Sequence, residues 1–476
     1  MPSLRSPQLF APILLAGLLV GGVARADQDD DAERVPSNAA EIYSPIARTF
    51  ARQPALPGGP RRRLTHPQER LPPPAGPVLL EDLKRRLQYT DPFFRDAVVD
   101  VYVRTYYLDR HNIDATRSQA WAGGSALAAR SGFHDGWLQL EGAVATSQPI
   151  YAPDGEGGTL LLTDQQAEVS SFALANARIR LPEQEIVLGR QLIKTPYLNP
   201  QDTRMIPNTF EGAVIERRRD RAGKLDYGAG YLWGFKARDS SRFVSFSQEL
   251  GLVGDRGMLV AGAKLTPAKG LTFGAIEYLI PDTLNTVYGE IDWVGAPFGE
   301  ALQFHLALNY TDQRTIGDPF GVGRTPATHQ VSALAAASYQ SMTLLLAASA
   351  NGSGSDIIGP FGSFPAYTVM DQLNYNDAGV TAFVVGAAYD FSHVITDGLK
   401  AEVRYGAGWG LVDPLTGAAL PNQNELDLQL EYGPKSGHLR DFYLQLFYSG
   451  VKLPGAKPDD TQPQVRAVLT YLLPVL

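Results

Sequence analysis

The sequence predicts an all-β protein: a transmembrane antiparallel up-and-down β-barrel of about 18 strands, with long extracellular loops and a third loop folded inward. Three observations predict it. From Val98 to the C-terminus apolar and polar residues alternate with period two, segment after segment. The segments reach the length of roughly 9–11 residues that a tilted membrane strand requires. The connections alternate between tight and long, as in an outer-membrane barrel whose periplasmic turns are short and whose extracellular loops are free to grow.

The chain opens with a secretory signal. Arg5 supplies the positive region, Phe10 to Val23 the apolar one, and Ala24-Arg25-Ala26 a small-x-small cleavage site. The apolar run falls short of the roughly 20 residues of a spanning helix and Pro12 interrupts it, which favours cleavage over anchoring. Elsewhere no apolar run approaches spanning length, so a helical membrane protein is excluded. Cysteine is absent, which excludes a thiolate nucleophile, a Cys metal site and disulfide staples. Nothing in the sequence calls for a cofactor or a metal. The 42 Lys and Arg stand against 50 Asp and Glu. Loss of residues 1–26 removes Arg5 and Arg25 and no acid, so 42 − 2 leaves 40 against 50, a net of −10. Such a surplus argues against a nucleic-acid partner.

Residues 27–94 form a Pro-rich periplasmic leader. Asp27 to Glu33 is acidic, and Pro54 to Pro77 combines prolines with Arg61-Arg62-Arg63, a composition that buries too little apolar surface to order itself. Val78 to Gln88 has the pattern of a short amphipathic helix. The leader either stays disordered in the periplasm or enters the barrel and plugs it.

The barrel is expected over 95–476. Its strands read as 98–107, 119–130, 136–146, 171–181, 184–192, 209–218, 225–236, 257–266, 270–280, 285–295, 301–312, 329–339, 341–350, 378–391, 396–410, 424–432, 441–450 and 463–474. The clearest alternation sets Leu302, Phe304, Leu306, Leu308 and Tyr310 against Gln303, His305, Asn309 and Thr311. On the last strand Val465, Ala467, Leu469 and Tyr471 would face lipid, with Gln464, Arg466 and Thr470 inside. Aromatic residues such as Trp137, Trp233, Tyr310, Tyr339 and Trp409 gather where strands meet loops, at the headgroup level of a bilayer. No backbone amide can go unpaired in hydrocarbon, so the first strand must join the last. A barrel of about 16–18 strands leaves a water channel, and function then concerns permeation.

Between Ile186–Leu192 and Thr209–Arg218 lies a polar segment holding Pro196, Pro200 and Pro207, far too long for a hairpin turn. As the third outer loop it would fold inward and set what passes. On the polar parity of the flanking strands, Arg178, Arg180, Arg190, Lys236 and Lys264 face the lumen, and a row of cations along a pore wall gives an anion successive resting places. The other reading of the same residues is that they pair with inward acids and stiffen the wall. Glu290 and Asp292, followed by Glu425, Asp427 and Glu431, make the opposite wall acidic, which would set a transverse field across the pore.

Leu188-Gly189-Arg190-Gln191, Thr195-Pro196 and the run Asp202-Thr203-Arg204-Met205-Ile206-Pro207-Asn208-Thr209-Phe210-Glu211-Gly212 resemble the OprD family of outer-membrane specific porins. The likeness continues through Tyr367 to Ala378 and the strand Val465-Arg466 to Tyr471-Leu472, and covers roughly residues 95–476. The resemblance implies a monomeric eighteen-stranded barrel of the bacterial outer membrane, set among its lipid and lipopolysaccharide, that admits small, usually carboxylate-bearing solutes. It implies ladder roles for Arg178, Arg180 and Arg190, and eyelet roles for Lys194, Asp202, Arg204 and Asn208. The long leader and the terminal Leu476, where such barrels often end in an aromatic, depart from the family pattern. Two other functions compete. An export channel for an acidic polysaccharide would show a more strongly cationic interior. An outer-membrane enzyme such as a phospholipase would need a Ser with a His on the outer face, and His305 and His329 have no obvious Ser partner.

Overall fold

The structure is a computed structural model, and it describes residues 78–112, 116–218, 223–299, 301–317, 327–434, 439, 442–453 and 461–476. The signal at 1–26 and the leader as far as residue 77 lie outside the described residues. Of the remaining leader, α1 (Glu81–Leu87) and α2 (Pro92–Arg95) precede the barrel. The amphipathic pattern at Val78 to Gln88 thus becomes a helix, with Asp82 in its first turn and Lys84, Arg85 and Arg86 in its last, the order the helix dipole favours.

Eighteen strands follow: β1 (Val98–His111), β2 (Arg117–Arg130), β3 (Leu138–Tyr151), β4 (Val169–Arg180), β5 (Gln184–Gln191), β6 (Thr209–Arg217), β7 (Leu225–Lys236), β8 (Met258–Ala268), β9 (Leu271–Ile280), β10 (Leu284–Gly295), β11 (Leu302–Thr315), β12 (Ala327–Tyr339), β13 (Met342–Asn351), β14 (Thr381–Asp390), β15 (Leu399–Trp409), β16 (Gln423–Tyr432), β17 (Phe442–Lys452) and β18 (Thr461–Pro474). Every strand expected from alternation is present, with ends displaced by a few residues. Each pairs antiparallel with its sequence neighbours, and β1 pairs with β18 from Asp100↔Pro474 to Arg110↔Gln464, so the sheet closes. Closure leaves no row of unpaired amides for lipid to meet.

The pleat sorts the side chains. On β11 Leu306, Leu308 and Tyr310 are exposed on the outside, while His305, Asn309, Thr311 and Gln313 are buried inside. On β18 Val465 and Leu469 face out, and Gln464, Arg466 and Thr470 face in. Tyr106 of β1, an aromatic that the sequence also sets near a strand end and so at the headgroup level, instead points inward, and its hydroxyl donates to the Thr203 carbonyl at 3.0 Å.

Connection lengths follow parity less strictly than the sequence suggested. At the end bearing the chain termini, the turns at 391–398 and 433–441 are long. At the opposite end β9 and β10 are joined by Pro281–Thr283 alone. The outer loops, numbered from the β1–β2 connection, include L2 (152–168), L3 (192–208), L4 (237–257, with α3 at Phe246–Glu249) and L7 (352–380).

The pre-barrel segment docks at the β1–β18 seam. Leu79 and Leu80 amides donate to the Pro474 and Val475 carbonyls, both at 3.0 Å, and Val475 donates to Val99 at 2.8 Å. Leu476 sits in the same arrangement, its amide 3.1 Å from the Val99 carbonyl.

Candidate functional site: the eyelet between the inward loops

Apolar residues carry four loops, L2, L3, L4 and L7, into the barrel, because outside it they would have no partner. L3 contributes Ile193, Tyr197 and Leu198 to a core shared with Phe210 of β6, Phe235 of β7, Phe246 of L4 and Phe361 of L7. The Phe361 ring lies 4.9 Å from that of Phe246 and 5.4 Å from that of Phe235. The other end of L3, Met205 and Ile206, packs with Leu161 and Leu162 of L2 on the small inner residues Ala120 and Ala122 of β2.

L7 crosses further. Tyr375 lies fully buried against β15, where Gly406 and Gly408 leave room for its ring; a Cβ on either would come within 2.7 Å of it. Beyond it, the acids of β16 hold the loop's backbone. Glu425 accepts from the Gln372 and Leu373 amides at 2.8 and 2.7 Å, and Asp427 from the Asp371 amide at 3.1 Å. The sequence assigned these acids to a field across the pore. Here both accept from buried backbone donors of L7, which need an acceptor once water is gone, and Asp427 also lies 3.5 Å from the Arg404 guanidinium.

Between the loops and the β18–β1 wall a group of arginines collects. Arg104 of β1 grips the Asp202 carboxylate of L3 at 2.8 and 3.3 Å and the Arg204 carbonyl at 2.5 Å. Arg466 of β18 binds Asp371 of L7. Three further guanidiniums have no carboxylate within 4.0 Å among the described residues. Arg204 Nε donates to the Thr159 carbonyl at 2.9 Å. Arg238 of L4 donates to Thr203 Oγ1 at 2.7 Å. Arg110 of β1 donates to Asn112 Oδ1 at 2.9 Å and to the Gly158 carbonyl at 3.3 Å. Burial holds the Arg204 guanidinium below its ordinary pKa, and the charge of Arg466 adds to the effect. Burial, then Arg204, brings Arg238 down to about 10. In both, burial is the larger cause and a neighbouring guanidinium adds to it.

The predicted site residues separate into groups. Asp202 and Arg204 are in this eyelet, and Lys194 lies on the same loop, partly exposed. Asn208 is buried, its amide donating to the Pro200 carbonyl at 2.8 Å, and closes L3. Lys236 is fully buried, its Nζ donating to the carbonyls of Ala237 and Ser240 at 2.9 and 3.3 Å and to that of Pro207 at 3.4 Å, so it ties L3 to L4 and cannot reach a solute. Arg178 and Arg180 face the lumen near the end bearing the termini, and both turn to Glu185, with Glu216 3.9 Å from Arg178. Lys264 pairs with Asp226 at 3.6 Å at the same end.

Besides Lys236, three assignments need correction. Arg190 faces outward: it shares the parity of Leu188, 47% exposed, whereas Val187 at 3% and Gln191 at 4% face in. It pairs there with Glu211 at 3.3 Å beneath the Phe243 ring. The polarity of the strand's end misled the reading, because near a membrane surface a charged pair can sit on the outer face. Glu290 and Asp292 do face in, but at 3% and 4% exposure they are covered by L7. Glu290 accepts from Tyr288, and Asp292 is bonded to His305. Among the described residues these carboxylates belong to the packing under the loop.

Sequence reasoning did not place Arg110, Arg238, Asp371 or Arg466 in the site. Arg110 was within reach: the inward series Arg104, Tyr106, Leu108, Arg110 continues past the expected strand end at 107. Asp371 and Arg238 had no periodic signal, since they arrive on loops.

The profile described as outer membrane porin, OprD family, matches residues 91–475. The chain belongs to the OprD family. This porin is therefore an outer-membrane β-barrel for passive diffusion of small molecules, in a family of channels that are not enzymes. Solved structures share the fold. The barrel is similar to OpdK of Pseudomonas aeruginosa, crystallised with vanillate (TM-score 0.70, 22% identity, 80% of this chain and 99% of that one). It is similar to a BenF-like porin of Pseudomonas fluorescens Pf-5 (0.72, 18%, 80% and 100%) and to OccAB2 of Acinetobacter baumannii (0.71, 18%, 81% and 100%). No curated protein sequence matches the chain.

Proposed function

We propose that this porin passes small carboxylate-bearing solutes and that it grips them at the eyelet. The observation that carries the reading is the excess of guanidinium at that point: Arg110, Arg204 and Arg238 have only carbonyl, amide and hydroxyl oxygens as partners among the described residues. Other inward cations are met by carboxylates, Arg178 by Glu185, Lys264 by Asp226, Lys400 by Asp390 and Arg404 by Glu402 and Asp427, and Lys236, held by carbonyls alone, is buried out of a solute's reach. A planar carboxylate fits a guanidinium fork in two hydrogen bonds, and in a narrow, poorly hydrated site that contact is stronger than in open water. The cations nearer the termini act as a balanced wall, in agreement with the stiffening role for Arg178 and Arg180. Residues 1–26 direct export, and the barrel works as a monomer among outer-membrane lipids with its termini in the periplasm.

Solute flux into liposomes, with vanillate as the first probe because OpdK was crystallised with it, tests the reading. Arg204→Ala with Arg238→Ala is expected to lower anionic flux about tenfold, the worth of one contact of about 1.4 kcal/mol. Arg178→Ala with Arg180→Ala is expected to change it much less. Equal effects of the two pairs, or none of the first, would move the selective step out of the eyelet.

A further inference from the structure

Arg466 is the one eyelet arginine of β18, and its position is peculiar. Its Nε–H is buried and meets no acceptor. The guanidinium is held by neutral groups, the Phe447 ring at 4.3 Å and the Tyr106 hydroxyl at 3.5 Å, and, among the described residues, by a single carboxylate within 4.0 Å, that of Asp371. Asp371 does not belong to the wall. It rides on L7, its carboxylate also accepting from Gln464 Nε2 at 2.6 Å and from Ser449 Oγ at 3.3 Å. The backbone of 371–373 is anchored separately, on Asp427 and Glu425. The side chain can therefore leave Arg466 without the loop leaving the wall.

From this arrangement we infer that Asp371 is a built-in competitor for the permeating anion. Its carboxylate covers the guanidinium of Arg466, which is only 4% exposed, and must move aside for a solute carboxylate to take that place, beside Arg204 and Arg110. Passage then exchanges one carboxylate for another at Arg466, so that the guanidinium keeps an anionic partner throughout, while Arg110 and Arg204 balance the charge that the solute adds. Swapping one partner for another avoids the large cost of leaving a buried cation alone. Gln464 and Ser449 give Asp371 somewhere to wait while the exchange lasts. L7 thereby sets how tightly the channel holds an anion: tight enough to select, loose enough to release. The inference rests on the carboxylate reading above.

The test is single-channel recording of the full chain in planar bilayers under a KCl gradient, with benzoate as the blocking carboxylate. Asp371→Asn keeps the shape and removes the charge. It is expected to move the reversal potential toward that of chloride and to lower the half-blocking benzoate concentration about tenfold. Asp371→Glu should remain close to the parent channel. An unchanged reversal potential and unchanged block in Asp371→Asn overturn the inference. So does a shift toward potassium. Where Asp371→Asn does not yield a folded barrel, Arg466→Gln decides: a half-blocking concentration raised about tenfold supports the exchange, and an unchanged one overturns it. A parent channel without preference for anions refutes the carboxylate reading itself. A selective parent with an unresponsive Asp371→Asn refutes only the role of Asp371.

Discussion

Arg178, Arg180 and Arg190 look alike in the sequence, three arginines on two neighbouring strands, and the structure gives them different work. Two share Glu185 inside the barrel, and the third meets Glu211 outside it. What separates them is the pleat: a shift of one residue moves a side chain through the wall. Charge is also decided by neighbours. Glu249 of L4 is half-buried beside Asp239, and burial first, then that repulsion, raises its carboxyl to about 7. Because this lies above the ordinary value, the loop is most stable with Glu249 protonated and loses stability as pH rises through about 7. Limited proteolysis in L4 is expected to be faster at pH 8.5 than at pH 6, and Glu249→Gln should make the rate the same at both. A pH-independent parent would show that Glu249 does not sense the packing of its loop.

At the scale of elements, the inward loops are specified from both sides of the contact. L7 brings Tyr375, and β15 offers Gly406 and Gly408 on alternate inward positions. Two residues apart on one strand face, they form a slot for an aromatic ring, since a strand glycine lets another group approach the backbone closely. Gly406→Val is expected to expel Tyr375, an overpacking of about 1–3 kcal/mol, and to raise single-channel conductance severalfold as L7 swings out of the lumen. The same substitution at Gly289, whose Cβ would meet only Gly274 O at 3.9 Å, is the control. Equal conductance of Gly406→Val and the parent would show that Tyr375 does not hold the loop. L3 is built in the same way, its Met205 and Ile206 lying on the alanines of β2.

For the whole molecule the bilayer is the second solvent, and it accounts for the exposed apolar face of every strand. Leu308, 46% exposed near the middle of β11, meets hydrocarbon rather than water. Leu308→Arg is expected to destabilise the barrel in bilayers by about 2–4 kcal/mol, measured by reversible folding into vesicles. A cost near zero would mean that β11 does not face lipid at that depth. The sequence alone determined the barrel, its eighteen strands and the side of the wall that most residues face, because alternation is local and lipid on one side with water on the other enforces it. The eyelet motif at 202–212 was legible through its likeness to a family. Tertiary structure alone decided which charges remain unbalanced. Glu425 and Asp427 read as pore acids until L7 was seen resting on them, and Asp371 and Arg238 could not be placed until their loops were. A loop carries no period, and its position is set by contacts far away in the chain, such as Tyr375 on Gly406 or Asp371 on Arg466. Selectivity is a sum over such contacts, so it belongs to the folded molecule and not to any one stretch of it.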